Sequence, residues 1–211
     1  MVNGNLNKRR KTMPNWCRNQ ITIRSKDKEL LRNLRDDLED MNGKGLLHYM
    51  YPMPHELRNT TKGSNSETNQ EFIDKYGFDN WYDWALHNWD TKWDVDFELD
   101  FYDVNDCILL EFNSAWGPPM GALQKFVDRY PKGTFEVVNL EYMESGMQFC
   151  GVYDALDDTE SVHVENYVDT FEDYASNKHS LDGWFSEKHR CEWLANELMI
   201  ELEYLKEEEE K

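Results

Sequence analysis

The clearest pattern along the chain is an alternation from Trp93 to Phe101. Trp93, Val95, Phe97, Leu99 and Phe101 fall on one side, and Asp94, Asp96, Glu98 and Asp100 on the other. That period of two predicts a half-buried strand. A turn at 103–106 and an apolar run from Cys107 to Asn113 complete an expected hairpin. Upstream, Gln20-Ile21-Thr22-Ile23 predicts a strand ending at Ser25, a candidate helix N-cap. Leu30, Leu34, Leu38 and Met41 then recur at helical spacing, and Asn42-Gly43 closes that helix. Downstream, Pro118-Pro119 opens a helix striped by Met120, Leu123, Val127 and Tyr130 and stopped by Pro131 and Gly133. Two strands follow, at 134–142 and 147–153, joined by Glu144-Ser145-Gly146.

The stretch from 46 to 80 is less regular. Leu46 to Tyr51 predicts a short strand before Pro52-Met53-Pro54, and 59–69 is a polar loop. Trp81, Trp84 and Asn88 fall on one face of a short helix. The resulting order, β-α-insert-β-β-α-β-β, predicts an α+β protein with a ferredoxin-like antiparallel sheet and its helices on one face. Residues 1–12 read as a disordered basic arm, with Met13-Pro14 as an alternative start. Residues 13–153 form the domain, with an insert at 43–92, and 154–211 an acidic C-terminal helical extension. In that extension Trp184, Cys191, Leu194, Leu198, Leu202 and Leu205 make a helical stripe. It is expected either to dock on the domain or to pair with a second copy.

Composition sharpens this picture. Hydrophobic residues are 39% and aromatics 14% of the 211, enough for a core despite 31% charged residues. There are 42 acidic residues against 23 basic ones, a net charge of −19. Residues 154–211 carry −13 of that, leaving −6 for the rest. Such a balance disfavours nucleic-acid phosphates and anionic membranes as partners and suits a cationic protein surface. The four cysteines are far apart, with no C-x-x-C pair, and each reads as a small apolar residue. The six histidines show no metal-ligand spacing, so neither a metal nor a cofactor is expected. With no apolar run of membrane-spanning length and no visible signal peptide, the cytosol is the expected compartment.

Six of the eight tryptophans sit in three clusters: Trp16, then Trp81, Trp84, Trp89 and Trp93, then Trp116. Packing explains them most simply, because each ring brings about 150–250 Å² to a core. The sharper alternative is a small-molecule pocket formed by Asn15, Trp16, Asn88, Trp89, Trp93, Trp116 and Glu144. The acidic row has two readings as well. It is the solvated side of a sheet, or a surface whose same-face carboxylates, about 6.7 Å apart, imitate a nucleic-acid backbone. No nucleophile, base and orienting group are placed together, so catalysis is not expected.

Five segments together resemble a known family. They are Met13-Pro14-Asn15-Trp16-Cys17-Arg18-Asn19, Tyr51-Pro52-Met53-Pro54, the run from Trp81 to Trp93, Ala115-Trp116-Gly117-Pro118-Pro119, and the run from Glu144 to Gly151. In this order they resemble the Api92-like proteins, also called the YubB ferredoxin-like proteins, carried by bacteriophages and plasmids. The resemblance spans about 13–153 and implies a ferredoxin-like fold and a mobile-element origin, without a mechanism. Asp90 stands where that family has glycine, Ser114 where it has threonine and Cys150 where it has alanine.

The leading expectation is a non-enzymatic acidic interaction protein that inhibits a host nucleic-acid-binding or defence protein, docking a basic surface on Asp94, Asp96, Glu98 and Asp100. The alternatives are a nucleotide or small-ligand domain using the Trp/Asn/Glu loops, and a homo-oligomeric assembly protein using the C-terminal stripe.

Overall fold

The apolar alternation around Ile21 builds the centre of the molecule. β1 (Trp16–Arg24) pairs antiparallel with β3 (Cys107–Ala115) on one side and with β4 (Val137–Glu144) on the other. β2 (Glu98–Tyr102) adds outside β3, while β5 (Phe149–Asp154) and β6 (Thr159–Glu165) continue beyond β4. Among the described residues these strands form one antiparallel sheet of six, in the order β2-β3-β1-β4-β5-β6. β1 and β2 therefore run parallel with β3 between them, and β3 and β4 run parallel with β1 between them.

The computed structural model describes residues 15–41, 43–61, 68–102, 106–172, 178–189 and 192–209. The expected basic arm, Met13-Pro14, Cys191 and most of the 103–106 turn lie outside them.

Among the described residues the connection from β1 to β2 carries five helices: α1 (Lys28–Met41), α2 (Leu46–Met50), α3 (His55–Arg58), α4 (Gln70–Tyr76) and α5 (Trp81–Trp89). α6 (Met120–Val127) links β3 to β4. α1 is capped by Asp27, whose carboxylate accepts the N–H groups of Glu29 and Leu30 at 3.1 and 3.0 Å. The expected cap, Ser25, is instead buried at the end of β1 and donates to the Thr134 carbonyl at 2.6 Å. Leu46 to Met50 is a helical turn and not the expected strand. Its cause is distant in sequence: Asp94 accepts the backbone N–H groups of Leu47 and His48 at 2.7 and 3.1 Å. These are orphan donors of a first helical turn. Gly45, at φ +102, lets the carboxylate approach, since a Cβ there would lie 2.2 Å from an Asp94 oxygen. α5 starts at Asn80, which accepts from the Asp83 N–H at 2.9 Å, and ends at Asp90 in the left-handed region, φ 61. That backbone suits the glycine of the resembling family. Here the aspartate adopts it, and its carboxylate holds the Gly121 N–H at 2.6 Å.

Ile21, Ile23, Leu110, Val138 and Leu140 pack under Leu31, Leu34, Leu38, Leu47, Trp84, Leu123 and Phe126. Side chains alternate across a strand, so Met143, Cys150, Val152 and Val164 point to the opposite face. A second core sits there, made with α7 (Tyr167–Phe171), α8 (Lys178–His189) and α9 (Glu192–Glu209). Helices thus cover both faces, contrary to the one-sided arrangement expected. Leu194, Leu198 and Leu202 are buried against the chain's own sheet, which removes them from any pairing with a second copy. Leu205 is half-buried, and Trp184 stays exposed, edge-on to Phe171 at 4.9 Å. Residues 159–165, expected to open the helical extension, form the sixth strand instead.

Candidate functional site

The C-terminal helices pack on the β4, β5 and β6 part of the second face, and among the described residues none covers that face of β2 and β3. Asp96, Glu98, Asp100, Glu111 and Asn113 are all exposed there. Between this open half and α9 runs a groove of about 470 Å³, lined by Arg18, Asp96, Glu98, Glu111, Trp193 and Glu197 among others. Among the described residues the one base in this lining, Arg18, is engaged: it pairs with Glu197 and, at 3.2 Å, with Glu201. Glu98 lies directly across the ladder from Glu111. Glu111 accepts from the Gln20 amide at 2.8 Å. Among the described residues no ion pair reaches Asp96, Glu98 or Asp100.

The expected acidic row is therefore rearranged at its start. The chain joins the sheet only at Glu98, although burial already alternates from Val95 onward. Trp93 is exposed, and Asp94 is turned inward to cap α2, with a third contact from the Val95 N–H at 2.9 Å. Burial raises the Asp94 pKa, opposed by those N–H groups. Asp94 leaves the acidic surface, and Glu111 joins it from the neighbouring strand.

The seven residues expected to form a pocket separate into three groups. Trp89 is 4% exposed, and its indole N–H donates to the Tyr51 carbonyl at 2.8 Å, as a packed tryptophan should. Asn88 donates to the Trp84 carbonyl within its own helix. Asn15, Trp16, Trp116 and Glu144 do meet at one end of the sheet. The Asn15 carbonyl accepts the Trp116 N–H at 2.9 Å. Glu144 is buried and accepts the N–H groups of Gly146 and Met147, closing the β4–β5 turn. Trp16 and Trp116 are 47% and 50% exposed, and Trp93 leans on Trp16 with ring centroids 6.4 Å apart. Trp89 and Trp93 also line a separate hollow with three basic side chains, Lys44, Arg58 and Lys92. The sequence reading missed those three. The one available signal was Lys92 between Thr91 and Trp93.

Two further features bear on chemistry. Cys17, Cys107 and Cys150 are buried and free, and burial pushes the Cys150 thiol up to about 12. Such thiols are poor nucleophiles. Glu141 is 3% exposed on the second sheet face and accepts the Leu194 N–H in the first turn of α9 at 2.9 Å. Among the described residues no group of three or more His, Cys, Asp or Glu could hold a metal. No helix among them is long and apolar enough to cross a membrane. Comparisons of the chain with family models, with curated proteins and with solved structures return no match.

Proposed function

We propose that the chain is a non-enzymatic interaction protein that docks the basic surface of a partner protein onto the open acidic face of β2 and β3. The observation that carries this reading is the juxtaposition of Glu98 and Glu111, neither of them in an ion pair among the described residues, while the nearby Arg18 is paired with Glu197 and Glu201. Like charges directly opposite on a sheet destabilise it. Charged residues on β2 alone would be accounted for as protection of an edge strand. Glu111 lies one strand in from that edge, where no such protection is needed. Asp96, Glu98 and Asp100 step along the chain at about 6.7 Å, on the scale of successive phosphates. The partner class that fits is a protein whose Lys/Arg groove neutralises nucleic acid, with this chain as its inhibitor.

A ferredoxin-like fold is part of this proposal, supported by the element order β1, α1, β2, β3, α6, β4 and the sheet order β2-β3-β1-β4, with β5 and β6 as additions. The resemblance of residues 13–153 to a phage and plasmid family supports a mobile-element setting, the bacterial cytosol as the place of action, and a host protein as the target. The test is competition. Double-stranded DNA added to the isolated complex with such a partner should displace this chain at constant ionic strength. Failure of a large excess of DNA to displace it would remove the mimicry.

A further inference from the structure

A second hollow shares no described lining residue with the acidic groove. The insert between β1 and β2 folds around a hollow of about 270 Å³, lined by Lys44, His48, Arg58, Trp81, Lys92 and Trp93 among others. We propose that this hollow binds a small anion carrying a flat aromatic ring, of the class of a nucleoside monophosphate.

Charge is the first argument. Acidic residues outnumber basic ones 42 to 23, so a base on this surface has carboxylates all around to pair with. Yet Lys44, Arg58 and Lys92 gather in one hollow, and none forms an ion pair among the described residues. Asp94, the acid among the described lining residues, accepts the backbone N–H groups of Leu47, His48 and Val95. Arg58 rests on the His48 imidazole instead of on a carboxylate. Burial, and then Arg58 itself, lower the His48 pKa, so the ring stays neutral at pH 7. Three cations around the one Asp94 carboxylate leave the described lining with an excess of positive charge, which an anion seated among them would offset.

The walls supply the second argument. Trp93 is 39% exposed, and the Lys92 ammonium sits 4.3 Å from its ring centroid and 5.5 Å from that of Tyr82. A cation poised beside a stackable ring places phosphate recognition next to base stacking. Neighbouring groups are fixed before any ligand arrives. The Trp89 indole is tied to Tyr51, the Trp81 N–H to the Thr60 hydroxyl at 2.9 Å, and the Met53 N–H to the His48 ring at 3.1 Å. Walls ordered in advance reduce the entropy lost on binding. The volume is small for a ligand site, which favours one nucleotide over a dinucleotide or a strand.

The experiment titrates the full chain with AMP, GMP, CMP and UMP, following tryptophan fluorescence and heat, with the matching nucleosides and inorganic phosphate as separate arms. At least one monophosphate should bind saturably, with its nucleoside and phosphate each about tenfold or more weaker. Lys92→Gln and Arg58→Gln should each weaken binding about tenfold, and Glu203→Gln, on the exposed side of α9, should leave it unchanged. Lys44→Gln, on an exposed turn, gives a variant that retains the fold should the other two perturb it. Salt should weaken the nucleotide and spare the nucleoside. No saturable response to any of the four nucleotides would overturn the proposal, as would equal affinity for nucleoside and nucleotide or unchanged binding in all three lysine and arginine variants.

Discussion

Glu98 on β2 and Glu111 on β3 face each other across the sheet ladder, both exposed and neither in an ion pair among the described residues. Their repulsion works against the fold, so one neutral replacement should help it. Glu98→Gln is expected to raise stability by about 0.5 kcal/mol, within the range for cross-strand pairs. Urea unfolding with an unchanged m-value measures this directly. A loss of stability would mean that Glu98 makes a favourable contact this account does not contain.

Glu141 should make the docking of α9 pH-dependent. Burial pushes its carboxyl up to about 8, with the Leu194 N–H opposing and Glu192 adding to the rise. In the unfolded chain the group titrates near its ordinary value of 4.5. The folded state thus binds the proton more tightly. Its contribution is complete below pH 4.5 and is lost as pH rises through about 8. Glu141→Gln keeps an acceptor for the Leu194 N–H and abolishes that titration. The stability difference between wild type and variant should shift by a few kcal/mol between these limits, at 1.36 kcal/mol per pH unit. A difference flat with pH would contradict this account of the group.

α9 is held by its leucine stripe and by Arg18 reaching over to Glu197 and Glu201. These ionic groups are partly exposed, so Arg18→Met should cost only about 1 kcal/mol. It should raise hydrogen exchange in α9 before it does so in β1. Leu198→Asp buries a charge and should cost more than about 3 kcal/mol. Because the stripe is buried within the chain, neither variant should change the sedimentation coefficient through loss of a dimer. A wild-type dimer that Leu198→Asp dissolves with its fold intact would refute that assignment.

The tryptophans divide by environment. Trp89→Ala should cost about 3–5 kcal/mol, as for a packed aromatic, and it also leaves the Tyr51 carbonyl without its donor. Trp16→Ala should stay within about 0.5 kcal/mol, because that ring is already half in solvent. Thermal unfolding of the two variants separates these cases.

Local periodicity made part of this structure readable in the sequence. β1, β3, α1, α5 and α6 carry their own apolar stripes and end signals, and they occur close to where those signals fall. α2 was unreadable because its cap is Asp94, more than forty positions away. The same contact removed Asp94 from the acidic row, whose alternation holds only where the chain extends beyond it. β6 was hidden because Val164 is its single buried residue and its other positions are polar or half-exposed. The second core was half legible: the Leu194, Leu198 and Leu202 stripe was visible, but nothing local says which surface covers it. The cationic hollow was invisible for a similar reason. Lys44, Arg58 and Lys92 come from three separate segments, and only folding brings them together.

The acidic face is tested most directly by comparing two variants that remove the same number of charges. One carries Asp96→Asn, Glu98→Gln, Asp100→Asn and Glu111→Gln; the other carries Glu39→Gln, Asp40→Asn, Glu203→Gln and Glu207→Gln at exposed positions elsewhere. Each is immobilised beside the wild-type chain in a bacterial extract, and retained proteins are quantified by mass spectrometry at low and high salt. A protein with a basic nucleic-acid-binding surface should be retained by wild type and by the second variant, lost from the first, and released by salt. Equal retention by the first variant and wild type, or equal loss from both variants, would contradict a docking role for this face.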